Sequence, residues 1–188
     1  MPLAEPLPIV LYPDPFLNQK ARDLTEAEFA GGKADDWNLA ELVERMKATM
    51  YDAEGIGLAA PQVGVGLRLF LMDISENRDA PIAVFNPELL DMDGTEDAEE
   101  GCLSIPDVRA SVKRAQSLKL KARDIRGEPF ELDAEDLLAR VIQHENDHLD
   151  GILFITKIGM AAKFMLRRKL AALEDDYALL KRRKTKGK

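Results

Sequence analysis

His144-Glu145-Asn146-Asp147-His148 sets two imidazoles four residues apart, with a carboxylate beside the first. In a helix that spacing advances slightly more than one turn, so both rings share a face and can grip one divalent ion. Glu145 then stands where its carboxylate could reach a water on that ion. The chain has no other histidine, and its one cysteine is Cys102, in Glu100-Gly101-Cys102-Leu103-Ser104-Ile105-Pro106. A catalytic site of the zinc type uses three protein ligands and keeps one position open, and two histidines with a cysteine fill that count. Spacing along the chain does not bring Cys102 to the histidines, and lone cysteines are commonly small buried hydrophobes. HExxH is also a metalloprotease signature, but that reading needs a third ligand downstream. Only carboxylates such as Glu174 follow His148. A closed structural site of four protein ligands is one short.

The helix that must carry this motif is predicted over 134–149, with Asp133 as N-cap and Gly151 at its far end. Leu137 and Val141 continue the ligand face. A second amphipathic helix over 38–53 follows from Leu39, Leu42, Val43, Met46 and Met50, and it stops at Gly55. The glycine-rich Gly55-Ile56-Gly57 then leads to Pro61-Gln62-Val63-Gly64. Strands are predicted over 67–74 and 82–85. Leu118, Leu120 and Ala122 alternate with Lys119, Lys121 and Arg123, the half-buried strand period, before a turn at 126–129 into a strand over 130–132. Tyr12-Pro13-Asp14-Pro15 reads as an extended or turning lead-in without helix, and the acidic run Glu96, Asp97, Glu99, Glu100 as a solvated loop. A last amphipathic helix covers roughly 160–180. No repeat or linker interrupts the chain. The expectation is one α+β domain over 1–188: antiparallel strands packed around a central helix carrying HExxH, with a basic C-terminal helix and tail from about residue 158.

Composition limits the classes of function. With 188 residues, 46% hydrophobic and 32% charged, the chain can bury a core, and whole-chain disorder is excluded. One cysteine cannot form an internal disulfide and suits a reducing compartment. No apolar run approaches the roughly 20 residues of a membrane helix. Residues 1–10 hold three prolines and no basic residue, unlike a signal peptide, so a cytoplasmic location without membrane contact is expected. The net charge of -8 is uneven: residues 163–188 carry ten basic and three acidic groups, the other 162 residues 16 and 31. Such an acidic body repels nucleic acid, so any RNA contact should come from the tail and without sequence specificity; a basic helix that merely keeps the chain soluble is an equal reading.

Three segments together resemble the peptide deformylase family: Gly55-Ile56-Gly57-Leu58-Ala59-Ala60-Pro61-Gln62, Glu100-Gly101-Cys102-Leu103-Ser104, and Gln143-His144-Glu145-Asn146-Asp147-His148-Leu149. They stand in the family's order, and the likeness runs from the lead-in at Tyr12 to about Thr156, in the shorter, Gram-negative-like form. The resemblance implies an enzyme that hydrolyses the formyl group from N-formylmethionine at the start of nascent polypeptides, releasing formate. It implies Cys102, His144 and His148 as metal ligands, a metal-bound water that attacks the formyl carbon, and Glu145 as general base and then acid. It assigns the oxyanion to the Gln62 side-chain amide and the Leu103 backbone N–H. Peptide binding falls to Gly55, Ile56 and Gly57, with Ile56, Val141 and Ile142 as walls for the methionine side chain and Arg109 near the cleft. For those walls ordinary packing is an equal reading, and for Arg109 a surface salt bridge. The implied physiological ion is Fe(II), with Zn(II), Ni(II) or Co(II) able to substitute. The basic C-terminal helix is expected to dock on the ribosome near the exit tunnel, and removing residues after about 157 to spare turnover on short peptides.

Overall fold

The computed structural model describes residues 4–186. In chain order it contains α1 (Glu26–Gly31), β1 (Lys33–Ala34), β2 (Trp37–Asn38), α2 (Leu39–Asp52), β3 (Gly57–Ala59), β4 (Leu69–Met72) and β5 (Ile82–Asp93). These are followed by β6 (Glu96–Cys102), β7 (Ile105–Arg114), β8 (Ser117–Arg123), β9 (Pro129–Glu135), α3 (Asp136–Leu149) and α4 (Met160–Lys186). The expected α+β class holds. An antiparallel sheet runs β3-β4-β5-β8-β9, and β6 and β7 form a separate hairpin.

The run Leu69-Phe70-Leu71-Met72 is buried at every position because β4 is covered on both faces. Leu69 and Leu71 join Leu42, Met46 and Met50 of α2 in one core. Phe70 and Met72 face the other way, against Ile142 and Leu149 of α3 together with Leu118 and Leu120. The HExxH helix is therefore clamped between the sheet and the β6–β7 hairpin. A third core under that hairpin joins Val108, Ala110 and Val112 to Leu17, Leu153 and Phe154, and α4 packs onto it through Leu166, Leu170 and Leu173.

Several expectations are corrected. Asp133 is no N-cap: β9 stays in register with β8 as far as Ser117↔Glu135, so α3 starts at Asp136 after Glu135, which makes no side-chain cap bond. Asp133 sits across from Lys119 and pairs with it at 3.4 Å. The strand at 82–85 runs on to Asp93 through irregularities where Asn86 and Asp91 take positive φ. The strand predicted over 67–74 is only Leu69–Met72. Within the lead-in, Asp14 caps a 3-10 turn over Pro15–Asn18. The acidic run is strand β6, because Ala98 and Glu100 pair with Val112 and Ala110 of β7. The last helix extends from 160 to 186.

Candidate metal centre

α3 brings His144, Glu145 and His148 to its inner face, and the end of β6 brings Cys102 to meet them. The ligand atoms of Cys102, His144 and His148 all lie within 4.8 Å of one another. Cys102 Sγ is 3.2 Å from His148 Nε2, and the two imidazole centroids are 5.0 Å apart. His144 Nδ1 is bonded to Glu100 Oε2 at 2.9 Å, which leaves Nε2 as its ring nitrogen for an ion. Burial and the neighbouring His144 hold His148 well below its usual range, so it is neutral as a ligand must be. His144, although burial opposes its protonation, is drawn up to about 10 by Cys102 and Glu100. A ring between two such groups marks a place for positive charge, and a divalent ion held there would take the place of the proton. Two imidazoles, one thiol and an open side fit an ion of the zinc or iron type.

Behind the donors lies a buried ionic network. Glu100 Oε1 accepts from Arg114 Nε at 2.7 Å and Arg140 Nη1 at 2.8 Å, while Oε2 accepts from Arg114 Nη2 at 2.9 Å and faces His144. Arg114 also binds Asp147, whose other oxygen takes Lys157 Nζ at 2.7 Å. Burial alone would raise the Glu100 carboxyl, but the bonds from Arg114 and His144 hold it well below the usual carboxylate range. It stays an acceptor and fixes the His144 tautomer. The solvated-loop reading of the acidic run thus fails at Glu100. Of this network, Glu100, Arg114, Arg140 and Lys157 carry no expected role in the sequence reading.

The site opens into a cleft of about 580 Å³ lined by Gly55, Ile56, Gly57, Gln62, Cys102, Leu103, Arg109, Val141, His144 and Glu145, among others. Gln62 is buried: its Oε1 accepts the Ala59 N–H at 2.8 Å, which turns Nε2 toward Cys102 Sγ at 3.4 Å and Ser104 Oγ at 3.2 Å. Leu103 lies in the β6–β7 turn and also lines the cleft. Arg109 lies at the rim and makes only a loose, exposed pair with Glu99 at 3.8 Å. Ile142 is fully buried in the core beneath α3 and does not line the cleft, so it is corrected from wall to packing residue. Ile56 and Val141 do line it.

Glu145 is 4% exposed, and its Oε2 has no hydrogen-bond partner among the described residues. Burial pushes its carboxyl up to about 7, a value suited to taking and returning a proton near neutrality. Between its unfolded value of 4.5 and about 7, the folded chain holds the proton more tightly, so stability is full below 4.5 and falls as pH rises through 7. In metal-free protein, Glu145→Gln should therefore gain stability over wild type by up to about 3 kcal/mol between about pH 5 and about pH 8. Denaturant titrations of both proteins at the two pH values check this; a constant difference would contradict it.

Gly57 explains how the carboxylate fits. A Cβ there would overlap Glu145 Oε1 and come within 2.8 Å of its Cδ. Gly57→Ala should displace the carboxylate and lower kcat by about a hundredfold, the lower end of what a general base contributes, with the fold retained. Near-normal kcat would show that Glu145 need not sit there.

The polypeptide deformylase family model matches residues 6–163. A peptide deformylase of Acidobacterium capsulatum is 44% identical over 169 residues, 89% of this chain and 95% of that protein. One from Thermotoga maritima is 44% identical over 163 residues, 86% and 93%. The crystal structure of a peptide deformylase from Legionella pneumophila covers 92% of this chain and 98% of its own, at TM-score 0.81 and 40% identity. With likeness across most of its length in both sequence and fold, this chain belongs to the polypeptide deformylase family, hydrolases that remove the formyl group from nascent peptides.

Proposed function

We propose that this chain is a single catalytic domain that uses Cys102, His144 and His148 to hold Fe(II) and hydrolyses the formyl group of N-formylmethionyl peptides in the cytoplasm. The observation that carries the reading is the convergence of those three donors beside a buried, unpartnered Glu145 oxygen in one cleft. The choice of iron rests on the family likeness, since the same donors suit Zn(II), Ni(II) and Co(II). When bound, the ion lowers the pKa of a water and polarises the formyl carbonyl. Glu145 accepts the proton of the attacking water and passes it to the leaving amine. Gln62 Nε2, held by the Ala59 anchor, donates to the oxyanion with the Leu103 N–H.

β3 is an edge strand, and Ile56 C=O already accepts the Asp73 N–H at 2.9 Å. By antiparallel alternation the next residue, Gly57, turns its main-chain groups away from β4 toward the cleft. A peptide can add there as a further strand, with Gly55, Ile56 and Arg109 along its path and the methionine side chain between Ile56 and Val141.

Incubating the metal-loaded protein with a formyl-Met tripeptide and with its unblocked counterpart tests the reading. Formate with the peptide bonds intact is expected from the first, and nothing from the second. Cleaved peptide bonds would instead favour a metalloprotease.

The basic tail is the proposed ribosome contact. α4 is no detachable appendage, however: Leu166, Leu170 and Leu173 cover the hairpin core, and Tyr12 and Tyr177 bond Glu174 and Asp14 at 2.7 Å. Truncation after about residue 157 should therefore destabilise the protein, contrary to the simpler expectation. Replacing Arg182, Arg183 and Lys184 with glutamine should leave formate release unchanged and make ribosome binding weaker, its salt slope shallower by about 1 per lost phosphate contact. Unchanged ribosome affinity would refute the tail's role.

A further inference from the structure

The loop after β4 reaches the cleft rim without supplying a group to its chemistry. Arg78, at φ +54, sends Nη2 to the Glu54 carbonyl at 2.6 Å and more loosely to the Gly55 carbonyl at 3.4 Å. Its loop is braced from below. The Asp73 carboxylate, 3% exposed, accepts the Tyr51 hydroxyl at 2.6 Å, the Ser75 N–H and hydroxyl at 2.9 and 2.6 Å, and the Ala80 N–H at 3.2 Å. Tyr51 belongs to α2, so the loop, the helix end and β4 form one frame.

The rim needs such a frame. α2 ends at Asp52, and Glu54 then adopts φ +55, a left-handed conformation that a non-glycine residue holds only when its surroundings fix it. Beyond it the rim is tied by Gly55 N–H to Met50 O at 2.8 Å and by the Asp73 bond to Ile56. At the strained residue itself the Glu54 N–H bonds the Tyr51 carbonyl at 3.0 Å, and Arg78 holds the other end of that residue through its carbonyl. We propose that Arg78 is a positioning residue that sets rim residues 54–57 in the geometry that receives the peptide main chain beyond the formylmethionine. This rests on the reading above that the peptide pairs with this edge. Arg78 touches no reacting atom, so its contribution should fall on substrate binding.

The test uses the full-length, metal-loaded protein with Arg78→Met and Arg78→Lys. Loss of a charge-assisted bond that preorganises the rim should raise KM for a formyl-Met tripeptide about tenfold, with kcat within about twofold. Amide exchange at 54–57 should quicken while β8 and β9 amides do not change, and lysine should restore most of both. Unchanged KM and exchange in Arg78→Met would overturn the proposal. So would a joint fall of kcat, KM and global stability, which marks a merely structural contact. The exchange measurement reads the rim without turnover, so a wild-type chain that releases no formate counts against the deformylase reading alone.

Discussion

Glu145→Gln should lower kcat for formate release by a factor of about 10²–10⁴ while the protein keeps its metal and its fold. Glutamine has nearly the same shape and would occupy the same space beside Gly57, so the cavity and the positions of Cys102, His144 and His148 need not change. What is lost is the capacity to accept a proton: burial has raised the carboxyl to about 7, where it can both take a proton from water and return it to an amine. A water near the ion would then have to lose its proton to solvent, from which Glu145 is almost fully shielded. Metal content is measured beside turnover, because loss of the ion would also abolish activity. Retained metal with turnover near wild type would remove Glu145 from the reaction.

Arg114→Met should cost about 3–5 kcal/mol of stability, the usual result of leaving buried charges without their partner. Its side chain is 2% exposed and binds both Glu100, which holds the His144 ring, and Asp147, the residue before His148. Arg140 and Lys157 would still hold one oxygen each, so the network loosens without being abolished. Glu100 would then orient the His144 ring less firmly, and metal affinity should fall about 10–100-fold, as when outer-shell partners of ligating histidines are removed. Lysine cannot reproduce the bidentate grip on Glu100 and should rescue only part of the loss. Chelator competition and denaturant titration measure the two effects. Unchanged stability and unchanged metal affinity would show that the network is incidental.

The site was largely legible because its chemistry sits in short local patterns. A spacing of four from one histidine to the next puts both rings on one helix face whatever the rest of the fold does, and α2 followed from its apolar spacing. The meeting of Cys102 with the histidines was not legible from spacing, since 41 residues and the three strands β7, β8 and β9 intervene; only the family likeness implied it. The acidic run misled because β6 is half solvated: Glu96, Asp97 and Glu99 are exposed, whereas Glu100 points inward to two arginines. A signal was present in β7, where Val108, Ala110, Val112 and Arg114 share one face, so a cation stands at an inward position that calls for a buried anion. Asp133 failed as a cap because the β8–β9 ladder, a long-range pairing, outweighed a local preference. α1 was missed although Thr25 and Glu28 form a capping box, because six residues are too few for a periodic signal.

The most direct test of the central claim is the yield of formate and free amine from a formyl-Met peptide, using protein prepared without oxygen and loaded with Fe(II). Equimolar formate and amine, lost on chelation and restored by Fe(II), is the predicted result. No formate from protein carrying a full complement of metal would contradict the account.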